Sequence, residues 1–236
     1  MKAGRVEGAH AREGGPGHAV KVKICGLTRP EDAREAAEAG ADFLGAVLIP
    51  SSKRHVNPAT ARAFRTAGGP PLVVVVDAAD PVETGEEARL AKADVIQLHG
   101  SETPRSVGVL RTMGDWKIWK ALRVRDPGGL AEAVAPWLGL VDGLLLDGWH
   151  PDLPGGAGVR FDWNRAAAFR SNLPGDLLFV AAGGLTPENV TEVLPLLRPD
   201  VVDVSSGVET APGIKDPRAV RAFIQAVRST SGPSDP

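Results

Sequence analysis

Val201-Val202-Asp203-Val204-Ser205-Ser206-Gly207-Val208-Glu209-Thr210-Ala211-Pro212-Gly213-Ile214-Lys215-Asp216 is the stretch on which the fold turns. A β-branched run stops at a small-residue turn, and a Gly/Pro-punctuated segment follows. Small residues let backbone N–H groups approach an anion closely. Upstream, Phe179-Val180-Ala181-Ala182-Gly183-Gly184-Leu185-Thr186-Pro187-Glu188-Asn189 repeats the design, with a strand, a glycine pair and a helix start. Either turn alone needs its glycines simply to be tight. Two in succession at the end of a βα chain are where phosphate-binding barrels hold their phosphate, after strands seven and eight.

Working outward, short β-branched or Leu-rich runs alternate with helix-like segments. Strands are predicted at 20–24, 43–48, 72–76, 95–98, 117–121, 143–146, 177–181 and 201–204. Their near-continuous hydrophobicity suits parallel strands buried on both faces. Thr28, Pro30 and Glu31 read as a capping-box start for a helix over 33–39, ending at Gly40. Pro187 and Pro217 are expected to open the helices after strands seven and eight, the last over 218–228. Eight strands, each followed by a helix, imply one α/β domain, a right-handed (β/α)8 barrel.

A chain of 236 residues fits that single domain over 20–228, between an expected disordered leader (1–19) and tail (229–236). The leader lacks an apolar core and is not a secretory signal; a start codon placed too early would read the same. With one cysteine, Cys25, no internal disulfide can form, and a reducing, cytoplasmic setting is expected. No run of ~18 apolar residues is present, so no membrane span is expected. Net charge is −2 with signs interspersed, so no nucleic-acid partner is expected and an anionic ligand must be held by local groups.

Chemistry in such barrels collects where strands end. Those positions are Cys25, the loop carrying Arg54, Asp77, His99, Arg123 and Asp147, followed by the glycine and serine turns. Each has a plain alternative. Cys25 could be a small buried hydrophobe, although a following helix N-terminus would favour its thiolate. Arg54 could be solvated surface, and His99 could simply bond the rim. Asp147 emerges from Leu144-Leu145-Leu146 and precedes Gly148-Trp149-His150-Pro151, a poor helix start, which argues against a capping role. No close ligand pair supports a metal site.

Several separate motifs resemble the phosphoribosylanthranilate isomerase family over about residues 20–228. They are Lys23-Ile24-Cys25-Gly26, Pro50 through Arg54, Gln97-Leu98-His99-Gly100 with Glu102, and Lys120-Ala121 with Arg123. Leu145-Leu146-Asp147, Gly155-Gly156-Ala157-Gly158 leading to Phe161-Asp162-Trp163, and the two closing turns complete the set. The resemblance implies an Amadori rearrangement of an anionic phosphorylated substrate in tryptophan synthesis, without a cofactor, by a monomer or homodimer. It implies Cys25 as general base, Asp147 as general acid and Arg54 as the partner of the anthranilate carboxylate. Gly183, Gly184, Ser205, Ser206 and Gly207 would hold the phosphate, with His99 and Arg123 also lining the substrate. Departures from the family pattern are Ala157 in the glycine loop, Leu48-Ile49 before Pro50, and Asp77.

Two other readings remain open: a sister phosphate barrel, of the histidine-pathway or the indole-glycerol-phosphate synthase type, and a non-catalytic phosphosugar-binding barrel. The histidine-pathway Amadori isomerases use carboxylates as both acid and base, so the thiol on strand one separates them. Indole-glycerol-phosphate synthases need catalytic lysines and a glutamate for which no matching arrangement is found. A non-catalytic phosphosugar-binding barrel would need neither Cys25 nor Asp147.

Overall fold

The computed structural model describes residues 19–77, 80–124, 129–148, 167, 170 and 173–230. The glycine loop at 155–158, the 161–163 motif and nearly all of the expected leader lie outside the described residues. Eight parallel strands pair in chain order and close on themselves. They are β1 (Lys21–Leu27), β2 (Phe43–Val47), β3 (Leu72–Val76), β4 (Val95–Leu98), β5 (Lys117–Val124), β6 (Gly143–Gly148), β7 (Leu178–Ala182) and β8 (Val201–Val204). Closure is made by β1 against β8, in register from Lys21 opposite Val201 to Ile24 opposite Val204.

Side chains alternate across each strand and both faces are covered, so the strands are largely apolar on each. Val22, Ile24, Leu44, Val74, Ile96, Leu144, Phe179 and Val202 pack outward into the shell beneath the helices. Phe43, Val73, Val95, Trp119, Leu145, Val180 and Val201 fill the lumen. Phe179 is fully buried, and its truncation to Ala should cost about 3–5 kcal/mol.

Helices among the described residues include α1 (Pro30–Glu38), α2 (Pro58–Arg62), α3 (Pro81–Ala91), α4 (Pro104–Met113), α5 (Leu130–Val134), α6 (Val190–Leu197) and α7 (Pro217–Thr230). Five open on proline, whose fixed φ and missing N–H suit the first turn. The prediction at Pro217 is met, and α7 continues through Ser229 and Thr230, two residues into the expected tail, with both hydroxyls donating to carbonyls four residues back. Two helix starts differ from expectation. Thr28 caps nothing; its hydroxyl donates to the Gly213 carbonyl at 2.5 Å, and Arg29 occupies the cap position of α1. Pro187 lies in a turn, because the Asn189 side chain accepts from Thr186 N–H and donates to the Gly184 carbonyl, delaying α6 to Val190.

Beyond β8 the chain makes a short antiparallel pair, β9 (Glu209–Ala211) and β10 (Ile214–Lys215). This hairpin lies at the end of the barrel where the strands finish, and it brings charge to the mouth.

Candidate functional site

Cys25 sits within β1 rather than at its end, at a break in the β1–β2 register between Ile24 and Leu27. It faces inward beside Val47 and Val75. Gly45 on β2 makes the room: a Cβ there would lie 2.9 Å from the thiol sulfur. Gly26, at φ +71°, is wedged so that a Cβ would meet Arg54 Cδ at 2.5 Å and Ser205 Oγ at 2.6 Å. Two glycines thus let the ends of β1, β2 and β8 converge, bringing Cys25, Arg54 and Ser205 together.

Charges surround the thiol. Lys23, on the same face of β1 and wholly buried, reaches Asp203 of β8 at 3.0 Å. The Arg54 guanidinium grips Glu209 with two bonds of 2.8 and 2.6 Å. Lys215 reaches the same carboxylate at 2.7 Å and donates to the Ser205 carbonyl at 3.1 Å. Burial opposes the charge on Glu209, but Arg54 and Lys215 outweigh it and hold the carboxyl below its ordinary range. The bond to Glu209 raises Arg54, whereas burial pulls Lys215 down despite the same partner. Lys23 is raised: burial disfavours its charge, yet Asp203 and the neighbouring sulfur win. Burial, then Asp203, push the Cys25 thiol up against the pull of Lys23 and Lys215. Desolvation of the buried sulfur thus works against the thiolate that a nearby helix N-terminus would favour.

His99 follows β4, and its Nε2 lies 3.5 Å from Asp147 Oδ2. Its Nδ1 is 3.1 Å from the Gln97 amide nitrogen. With that amide nitrogen as donor, Nδ1 accepts, which leaves Nε2 to face Asp147. Arg123 stands opposite Asp147 in the β5–β6 register and is exposed, as is Asp77 at the end of β3. The loop bearing His99 is braced from below. Lys120 reaches Glu102 at 2.7 Å and the Gly100 carbonyl at 2.8 Å, while Gly100 N–H donates to Glu102.

The two glycine turns abut. Gly183 and Gly184 have φ of +95° and +66°, conformations that only glycine takes cheaply. Gly207 needs no positive φ; it is glycine because a Cβ would collide with the Leu185 carbonyl of the neighbouring turn. Ser206–Val208 form a single 3-10 turn, whose first N–H groups the turn itself cannot satisfy. The rim thus gathers Cys25, Arg54 and Ser205, then His99 and Asp147, then Gly183, Gly184 and Gly207.

Sequence reasoning missed Lys23, Asp203, Gln97, Glu209 and Lys215 as parts of this rim. Lys23 and Asp203 could have been found as charges embedded in apolar strands. Among the described residues no group of His, Cys, Asp and Glu could hold a metal ion, and no helix is long and apolar enough to cross a membrane.

Comparison with known proteins agrees with this geometry. The family model for N-(5'-phosphoribosyl)anthranilate (PRA) isomerase matches residues 22–226. The chain is 40% identical to N-(5'-phosphoribosyl)anthranilate isomerase of Brucella canis over 214 residues, covering 89% of this chain and 94% of the relative. It superposes on phosphoribosyl anthranilate isomerase from Thermotoga maritima with a TM-score of 0.80 and 32% identity, covering 89% of this chain and 99% of the other. A crystal structure of the isomerase in complex with reduced 1-(o-carboxyphenylamino)-1-deoxyribulose 5-phosphate aligns with a TM-score of 0.77 at 32% identity and the same coverage. With the family model spanning nearly the whole barrel, the chain belongs to the N-(5'-phosphoribosyl)anthranilate isomerase family.

Proposed function

We propose that this protein converts N-(5-phosphoribosyl)anthranilate, an aldosylamine, into the corresponding 1-deoxyribulose 5-phosphate ketone, an Amadori rearrangement in tryptophan synthesis. Family membership supports the reaction. The observation that carries the assignment of roles is a thiol on β1 and a carboxylate on β6, both on inward-facing positions of the rim.

Asp147 would protonate the furanose oxygen, so that the ring opens to an iminium. The iminium acidifies C2′, and Cys25 as thiolate would take that proton; the C–H electron pair then forms an enolamine that tautomerises to the ketone. His99 Nε2–H, beside Asp147, would steady the carboxylate as it gives up its proton. Arg54 would hold the anthranilate carboxylate, exchanging part of its grip on Glu209 for the substrate, with Lys215 keeping Glu209 neutralised. Gly183, Gly184, Ser205, Ser206 and Gly207 would seat the phosphate on backbone N–H groups, and Arg123 would line the mouth near Asp147. The bound ligand of one solved relative carries a carboxyphenylamino group at one end and a phosphate at the other. A clamp at each end would fix such a molecule between acid and base.

Acid–base chemistry of this kind needs no cofactor. A cytoplasmic location, and assembly as one or two copies, belong to the same reading. The test is a fluorescence assay following loss of freshly made phosphoribosylanthranilate. A pure, folded sample that leaves that signal unchanged would exclude the reaction.

A further inference from the structure

We propose that Lys23 is a positioning residue that favours the thiolate form of Cys25, its ammonium serving as the counter-ion when the base forms while Asp203 anchors it inside the barrel. This rests on the reading of Cys25 as general base. Lys23 is wholly buried, and withdrawing an ammonium from water costs several kcal/mol before any partner is counted. At other inward positions the lumen is filled by Val73, Val95 and Val180, so packing alone does not require a lysine there. Lys23 and Cys25 are two apart on one strand, and their side chains therefore share a face. Asp203 Oδ1 takes one N–H of Lys23, and a lysine ammonium has three to give.

Each element packed around Cys25 brings its own groups. β2 offers Gly45 and Val47, and β3 offers Val75, none of them charged. Its own strand supplies Lys23, and β8 supplies Asp203. The loop after β2 brings Arg54, β10 brings Lys215, and Glu209 of β9 lies between those two cations. Lys23, Arg54 and Lys215 are thus set against Asp203 and Glu209, which leaves one excess positive charge when Cys25 is a thiol and none when it is a thiolate. Burial drives the sulfur toward the neutral form, and the adjacent Lys23 ammonium works against it. Lys23 stays protonated throughout, and the substrate proton ends on sulfur.

Cys25 is the single cysteine of the chain, so thiolate absorbance in the far ultraviolet, followed against pH, reports this group alone. Lys23→Gln retains a donor for Asp203 but removes the charge; it should raise the apparent thiol pKa and reduce the thiolate fraction at neutral pH at least ~tenfold. The acidic limb of the kcat profile should move to higher pH in step. Lys23→Arg should restore both, and Asp203→Asn should move the titration to lower pH, a reversal that loosened packing would not produce. An unshifted titration in folded Lys23→Gln and Asp203→Asn would overturn the pairing. That failure is distinct from failure of the base assignment, which would appear as full activity in Cys25→Ala whatever the titration does.

Discussion

Two lysines are buried in the barrel wall, Lys23 on β1 and Lys120 on β5, each within hydrogen-bond distance of a carboxylate. Lys120 points outward: its register neighbours Leu98 and Leu144 belong to the shell under the helices. Its donors go to Glu102, the Gly100 carbonyl and, at 3.3 Å, the Leu98 carbonyl, and its ammonium lies 5.2 Å from the Trp137 ring centre. Lys23 points inward, between Phe43 and Asp203 in register, toward the thiol. The two pairs are chemically alike. What separates them is the parity of the strand position, which sends one charge into the scaffold and the other into the site. A buried ion pair whose donors end on one loop is a brace, whereas one beside a titratable sulfur sets that sulfur's charge.

The largest effect that would break this comparison is expected at the brace. Lys120→Met strands Glu102 as an unpaired buried carboxylate and should cost about 3–5 kcal/mol, read from urea denaturation. Wild-type stability would mean that the loop after β4 is held otherwise. Next come the reacting groups. Cys25→Ala and Asp147→Asn should each lower kcat at least ~10²-fold with little change in stability. Near-normal turnover in either variant removes that residue from the chemistry. Arg54→Ala should raise KM about tenfold or more, the worth of a lost charged hydrogen bond, while Lys215 keeps Glu209 paired. A collapse of kcat at constant KM would instead assign Arg54 to the chemical step.

A smaller effect is expected at the glycine turn. Gly184→Ala forces a side chain into φ +66° at about 1–2 kcal/mol, and inhibition by inorganic phosphate should weaken alongside. Undiminished phosphate inhibition would place the anion elsewhere. Gly207→Val is a poorer probe, since the Leu185 carbonyl blocks its Cβ and folding would suffer too.

The smallest effect lies at a more exposed pair, which sharpens the contrast with both buried lysines. Asp142 contacts Arg111 at 2.6 Å and Lys117 at 3.2 Å. Burial works against its charge, but the Ile118 N–H and these two cations together hold its carboxyl below the ordinary value. Its stabilisation is therefore complete above that ordinary value and lost as pH falls through the lower folded-state value. Asp142→Asn should cost ~1 kcal/mol or less near neutrality, and the difference in Tm from wild type should shrink as the solution is acidified. A difference that grew in acid would contradict the assignment.

The amino-acid sequence by itself determined where the eight strands lie and which residues their ends present. Apolar runs, proline-opened helices and glycine turns are local signals, and barrel closure carries every strand end to one rim. That much placed Cys25, Arg54, His99, Asp147 and the paired glycine turns at a common mouth. Only the tertiary structure decided how they are charged and partnered. Lys23 and Asp203 stand 180 positions apart and meet because β1 closes on β8. Arg54 and Glu209 are separated by 155 positions, and they meet because the β9–β10 hairpin folds over the mouth. Thr28 is a sound cap by local rules, yet the Gly213 carbonyl claimed its hydroxyl across 185 positions. Local rules predict geometry that one segment can satisfy alone. The charge on the thiol depends on burial and on lysines and carboxylates from β1, β8, β9 and β10, and only closure of the barrel brings those together.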